Sequence, residues 1–207
     1  MKSLTLKSMS ALALALVTGG VMTTTASADT FNKNSNSKIE YQSGKIDIVD
    51  PTDPDPDNPT KAAVPTFDFG QQTITSLDKT YDNVTAGSLK VTDLRGTDEG
   101  WKVEVTQTAQ LKSAATSKEL TGAKLKLNTT NTTVTADSGN PAFTAADLTP
   151  GVKSTILVAA AGSGNGATIL SFADGTDSAQ LEVPGYTPKV KEAYTADLVW
   201  TLTDSPA

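Results

Sequence analysis

The chain has no cysteine and no histidine among its 207 residues, and Arg95 is its single arginine. The absence of cysteine excludes disulfides, thiol catalysis and thiolate metal sites, so a domain of this composition depends on packing for its stability. The absence of histidine excludes serine triads and the common zinc sites. We therefore predict a protein that is not an enzyme, with no catalytic residues, no metal and no cofactor.

Positive charge is also scarce, because 17 lysines and arginines face 23 aspartates and glutamates, for a net charge of -6 at pH 7. Nucleic acids and anionic lipids bind clustered lysines and arginines, and the sequence has no such cluster. Long apolar runs are missing as well, since the run Ala11–Val17 is far below the roughly 20 residues that span a bilayer. We expect neither a nucleic-acid partner nor insertion into a membrane.

The first 28 residues have the pattern of a secretory signal peptide. Lys2 and Lys7 precede the apolar run, and Ala26–Ala28 supplies the small residues of a cleavage site. Cleavage there starts the mature chain at Asp29 and leaves 15 basic against 23 acidic side chains, a net charge of -8. The sequence therefore predicts a secreted protein.

Residues 29–61 differ in composition from the chain that follows and are predicted to form an N-terminal segment and a linker. Residues 29–41 are rich in Asn, Ser and Lys, and Asp50–Pro59 alternates proline with acidic residues. Proline holds the backbone extended and like charges repel, so this stretch is typical of a stiff spacer. The partial alternation within Lys38–Val49 predicts one short strand ahead of it.

The spacer contains aspartates at the spacing that opens a calcium-binding EF-hand loop, namely Asp53, Asp55 and Asp57. The remaining ligands are missing, because Asn58 takes the place of the turn glycine and Val64 takes the place of the bidentate glutamate. The interleaved prolines also oppose the tight wrap that the ion requires. We interpret the aspartates as a solvated acidic linker.

Residues 62–207 consist of short alternating runs of Thr, Val, Leu, Ala and Gly that are separated by turn residues. This pattern predicts an all-β domain, an antiparallel sandwich or barrel-like fold with long loops and little helix. Helical turns are expected only near Ser113–Leu120 and Phe143–Leu148. The predicted strands are Thr66–Phe69, Ser88–Asp93, Trp101–Gln107, Ala123–Asn128, Thr132–Ala136, Thr155–Ala160, Thr168–Phe172, Ser178–Val183 and Ala193–Thr203.

Both tryptophans of the chain fall in such strands, and each heads an apolar row. Successive side chains of a strand point to opposite faces, so alternate residues share one face. The two rows are Trp101, Val103 and Val105 in one strand and Leu198, Trp200 and Leu202 in the other.

The order of these motifs resembles the WxL-domain surface proteins of Gram-positive bacteria, from about residue 62 to the end. The motifs that carry the resemblance are Ser88–Gly96, Gly100–Val103, Gly162–Gly166, Val183–Gly185 and Tyr194–Pro206. The second WxL motif is complete at Trp200–Leu202, whereas the first has Val103 where leucine is usual. The resemblance implies a secreted protein that attaches non-covalently to the cell wall, through peptidoglycan, and whose relatives act with partner surface proteins.

Two interpretations of the tryptophan rows are open. Trp101 and Trp200, with Val103 and Leu202 beside them, form an exposed platform for the apolar face of a sugar ring, or they are core anchors. In the second case the motif is a folding signature and other surface groups meet the ligand.

Asp93 and Arg95 also allow two roles. The pair could hold a carboxylate of a peptidoglycan stem peptide by a forked hydrogen bond, or it could stabilise the turn that ends in Gly96. We include both residues with the tryptophan motifs as candidate ligand contacts.

Two other functions compete with wall attachment. A glycan hydrolase needs two carboxylates at a cleft, and Asp174 and Asp177 are close in sequence but lie in a polar turn. An adhesive or structural subunit would bind another surface protein or host matrix through an exposed strand edge.

Overall fold

The computed structural model describes residue 33, residues 35–52 and residues 63–204. The predicted signal peptide and the aspartates at 53, 55 and 57 lie outside the described residues. The chain divides into two compact units, Met1–Glu40 and Tyr41–Ala207. The described residues of the first unit are exposed and contain no strand.

Within the described residues there are fourteen strands and no helix, and every strand pair is antiparallel. The all-β prediction is therefore confirmed. The strands are β1 (Ile46–Val49), β2 (Lys79–Asn83), β3 (Gly87–Asp93), β4 (Trp101–Gln107), β5 (Lys112–Ser113), β6 (Lys124–Leu127), β7 (Thr132–Ala136), β8 (Ala142–Phe143), β9 (Ala146–Leu148), β10 (Lys153–Ala159), β11 (Gly166–Phe172), β12 (Thr176–Val183), β13 (Tyr194–Thr195) and β14 (Leu198–Thr203).

These strands form three four-stranded sheets and one two-stranded sheet in the described chain. We name them sheet A (order β1-β3-β11-β7), sheet B (β2-β12-β6-β9), sheet C (β14-β4-β10-β8) and sheet D (β13-β5). Most neighbours within a sheet are distant in sequence, so the order depends on long-range pairing rather than on hairpins. One register shift, between Thr155 and Leu157, interrupts the pairing of β10 with β4.

The larger core cluster is built from the inward faces of sheets A, B and C. In β4 the burial alternates strictly, with every second residue from Trp101 to Gln107 buried, as a strand with one face on a core requires. Phe172 of sheet A packs edge-on against Phe143 of sheet C, with ring centroids 5.7 Å apart. A smaller cluster of Leu111, Leu120, Ala123, Leu181 and Val183 joins sheets B and D.

The strand predicted in Lys38–Val49 is present over Ile46–Val49 as β1, which pairs with β3 at the edge of sheet A. This strand lies ahead of the proline-rich segment. The division into residues 1–28, 29–61 and 62–207 stays a prediction. Sheet A includes residues on both sides of the predicted boundary between residues 61 and 62, because β1 pairs with β3.

The helical turn predicted near Ser113–Leu120 is present as one turn after β5, in which the Ser117 amide donates to the Ser113 carbonyl (3.0 Å). Two other predicted elements were wrong. Phe143–Leu148 contains the end of β8 and all of β9 instead of a helix. Thr66–Phe69 is not a strand. It accepts a single described backbone hydrogen bond, from the Val84 amide to the Asp68 carbonyl (2.7 Å), and one bond does not form a strand ladder.

Candidate functional site: the paired tryptophan strands

The two tryptophan motifs occupy neighbouring strands of sheet C. In the register of β14 with β4, Leu202 is opposite Val103 and Trp200 is opposite Val105. Opposite residues of an antiparallel pair point to the same face, so both apolar rows point to the core side of the sheet. The two motifs therefore lie side by side in one sheet.

Trp101 is fully enclosed, with 0% of its surface exposed. Its indole Nε1 donates a hydrogen bond to the carbonyl oxygen of Gly164, at 3.1 Å. Gly164 has a φ of 77°, and a Cβ atom there would lie 2.6 Å from the indole nitrogen and 2.6 Å from the Ala159 side chain. The glycine run Gly162–Gly166 is therefore the segment that closes over Trp101, and only glycine fits at its centre.

Trp200 has a more open environment, because β14 is an edge strand of sheet C. Its ring is partly buried and packs against the larger core cluster. The indole Nε1 is buried and has no hydrogen-bond partner among the described residues, and the same holds for Oε1 of Gln107. Gln107 is opposite Leu198, two residues along β14 from Trp200. The two tryptophans thus differ in enclosure and in hydrogen bonding.

These positions correct part of the predicted ligand surface. Trp101 and Val103 are both 0% exposed, so neither side chain is accessible to a ligand. Trp200 and Leu202 are partly buried against the same core. The geometry fits the core-anchor interpretation, because the shared face of both rows packs inward. Ligand contact by Trp200 and Leu202 stays a prediction.

Asp93 and Arg95 already satisfy each other. Arg95 donates from Nε to Oδ1 of Asp93 (2.9 Å) and from Nη2 to Oδ2 (2.8 Å), so its fork holds the protein's own carboxylate. The same guanidinium donates to the carbonyl oxygens of Gly100 (2.9 Å) and Asp204 (3.0 Å). Arg95 therefore ties the end of β3 to the start of β4 and to the residue after β14. This geometry fits the structural role and not the capture of a ligand carboxylate.

The electrostatics of this pair support the same role. Burial raises the pKa of the Asp93 carboxyl, but hydrogen bonds from the Arg95 side chain and backbone outweigh it, and the net pKa is below the ordinary value. The hydrogen bond with Asp93 raises the pKa of Arg95. The pair is therefore ionised at neutral pH and fastens the two tryptophan strands at one end.

The opposite face of sheet C is polar. Glu104 lies between Lys102 and Lys153, with its carboxylate oxygens 3.7 Å from each ammonium nitrogen. Val199 on β14 is 49% exposed on this face.

In the described part of the chain no cluster of acidic side chains could hold a metal ion, and no helix could span a membrane.

The comparison with protein families decides the classification. The model for the WxL domain, described as surface cell wall-binding, matches residues 27–206. The chain belongs to this family. Its WxL domain is thus a cell-wall-binding domain of the cell surface, and the match includes β1, which precedes the predicted start at residue 62. Searches of curated proteins and of solved structures gave no match.

The site also contains residues that sequence patterns did not assign. Gly164 lies in the glycine run of the family pattern, but its contact with Trp101 depends on a pairing 63 residues apart in sequence. Gln107 ends the first tryptophan strand and is buried with one unpaired oxygen. Its place in the alternation of β4 was a signal for burial.

Proposed function

We propose that this WxL domain holds an exported protein at the surface of Gram-positive bacteria by binding peptidoglycan non-covalently. The family match over residues 27–206 carries the proposal, because it spans both tryptophan strands and the glycine run. The signal-peptide pattern of residues 1–28 supports export. The binding is attributed to surface groups of the folded domain.

We infer that the tryptophan motifs act as a frame for that surface. Trp101 is sealed beneath the Gly162–Gly166 run, and Arg95 fastens the strand ends that flank it. Burial of an aromatic side chain contributes strongly to core stability. The motifs therefore support the exposed loops without contacting the glycan through Trp101.

The proposed activity is binding and not catalysis. Of the two aspartates considered for hydrolysis, Asp174 lies in the turn between β11 and β12, and Asp177 is the second residue of β12. The Asp177 carboxylate accepts a hydrogen bond from the Asn131 amide (2.8 Å). That contact supports a structural use of this carboxylate at the start of β12.

A sedimentation experiment tests the proposal. Mature protein is incubated with washed, insoluble peptidoglycan, and the pellet, the supernatant and released sugar are measured. We expect the protein in the pellet and no released sugar. Protein that stays in the supernatant contradicts peptidoglycan binding, and capture by a purified surface protein then favours the adhesive-subunit function. Released sugar contradicts the absence of catalysis.

A further inference from the structure

Three large apolar side chains are exposed on two loops at one end of sheet B. Tyr186 is 77% exposed, Leu77 is 65% exposed and Ile74 is 54% exposed. Leu77 precedes β2 and Tyr186 follows β12, and these strands pair with Lys79 opposite Val183. The two loops therefore leave the same end of the sheet. We call Ile74, Leu77 and Tyr186 the Tyr186 surface.

The two loops are fastened to each other by polar contacts. The Lys189 ammonium donates to the carbonyl oxygens of Pro184 (3.0 Å), Thr187 (3.0 Å) and Thr75 (3.3 Å), which bridges both loops. The Gly185 amide donates to the Asp78 carboxylate (2.7 Å). These contacts use backbone groups and the side chains of Lys189 and Asp78, and they leave the apolar side chains of the loops outward.

Tyr186 itself is held in place by its neighbours. The next residue, Thr187, is 3% exposed and its hydroxyl donates to the Thr121 carbonyl (2.7 Å). The Tyr186 hydroxyl packs against Gly122, where a Cβ atom would approach it to 2.7 Å. The Tyr186 side chain is thus in contact at its hydroxyl end while most of its surface is exposed, and a side chain of restricted motion loses less conformational entropy on binding.

The chemistry of this surface fits a peptidoglycan repeating unit. The Tyr186 ring offers an apolar face to the C–H face of a sugar, and the aliphatic side chains of Leu77 and Ile74 suit its acetyl and lactyl methyl groups. Lys79 and Lys124 are exposed at this same end of sheet B, on the two strands that flank β12. Lys79 is opposite Val183 and Lys124 is opposite Glu182, so the two lysines point to different faces of the sheet end. Their charges complement the carboxylates of the stem peptides, in a chain whose net charge is -6.

We propose that the Tyr186 surface is where this domain contacts peptidoglycan, with the sugar on Tyr186 and the stem-peptide carboxylates near Lys79 and Lys124. This assignment rests on the proposed function and locates its binding site. It places the ligand contact on a different sheet from the tryptophan strands, because Tyr186 adjoins sheet B.

The test compares two double variants of the mature protein in sedimentation with intact sacculi. Leu77→Thr with Tyr186→Thr removes two of the three apolar side chains of the Tyr186 surface. Val152→Thr with Val199→Thr removes two exposed apolar side chains elsewhere. We expect the first to raise the apparent Kd about tenfold or more and the second to leave it unchanged. Tyr186→Phe keeps the ring and should bind like the wild type. Thermal unfolding verifies that each variant is folded.

The outcomes separate the site from the function. If the wild type binds and the Leu77→Thr, Tyr186→Thr variant binds equally well, the Tyr186 surface is not the site and the proposed function stands. If both double variants lose affinity equally, the adsorption is unspecific and the site is again contradicted. If the folded wild type does not bind sacculi, the function and the site both fail.

The lysines have their own arm of the test. We expect Lys79→Gln with Lys124→Gln to weaken binding to intact sacculi severalfold, and to have no effect on sacculi whose stem peptides have been removed by an amidase. Equal losses on both materials contradict the assignment of these lysines to the carboxylates.

Discussion

Gly164 shows how one residue without a side chain makes room for the largest side chain of the core. Its carbonyl accepts the Trp101 indole hydrogen bond, while its α-carbon faces Ala159 and the indole ring at distances that leave no place for a Cβ atom. The family's glycine run therefore has a steric reason at this position.

Replacing Gly164 by alanine is expected to lower the free energy of unfolding by about 2 kcal/mol or more, because positive-φ strain adds to a clash in the core. Gly162 is a matched control, since its φ is 78° but no atom lies within 4 Å of a Cβ there. Gly162→Ala should cost only the backbone strain, about 1 kcal/mol. Denaturant unfolding measures both, and equal losses would contradict the packing of Gly164 on Trp101.

The two tryptophans also differ in what their N–H groups do. Trp101→Phe leaves the Gly164 carbonyl without its donor, whereas the Trp200 N–H has no described partner to lose. We expect Trp101→Phe to destabilise the domain by about 1–3 kcal/mol more than Trp200→Phe. Urea denaturation of both variants gives the comparison. A larger loss for Trp200→Phe is the opposing result.

At the scale of strands and sheets, Arg95 joins three elements through one guanidinium. It holds Asp93 at the end of β3, Gly100 before β4 and Asp204 after β14. Lysine cannot reproduce this fork, because its ammonium is a point donor. Arg95→Lys is therefore expected to destabilise the domain by about 3 kcal/mol, since the buried Asp93 loses its paired donors. A thermal unfolding midpoint equal to that of the wild type would contradict this role.

The Asp93–Arg95 pair also predicts a pH dependence. The folded pKa of Asp93 is below its unfolded value of about 3.8, so its stabilisation is present above that value. It is lost as the pH falls through the lower folded pKa. The difference in unfolding free energy between the wild type and Asp93→Asn should therefore be large at about pH 7 and small at about pH 2. A difference that does not change with pH is the contrary outcome.

The strands that alternate strongly could be predicted from the sequence, and the weakly patterned ones could not. β4 was predicted because Trp101, Val103 and Val105 occupy every second position. β2 reads Lys-Thr-Tyr-Asp-Asn and gives no such alternation, because it is an edge strand that gains its partner from β12, far along the chain. The local helix signal near Phe143 failed for the same reason, since strand pairing outweighs weak propensity.

At the scale of the whole chain, the two predicted tryptophan rows do lie together, but they pack against the core of the domain. The sequence showed that Trp101 and Trp200 head apolar rows, and the structure adds that both rows share one face of sheet C. Exposure could not be predicted, because it depends on which sheet covers that face. Tyr186 was missed since it lies in a turn outside the tryptophan motifs.

We propose that wall binding depends on exposed groups of the domain and not on the buried Trp101 indole. The most direct measurement is sedimentation of folded Trp101→Phe protein with insoluble peptidoglycan, at a temperature below its unfolding transition. The predicted result is binding with the affinity of the wild type, because Trp101 has no exposed surface. A folded Trp101→Phe protein that remains in the supernatant while the wild type sediments would contradict the account.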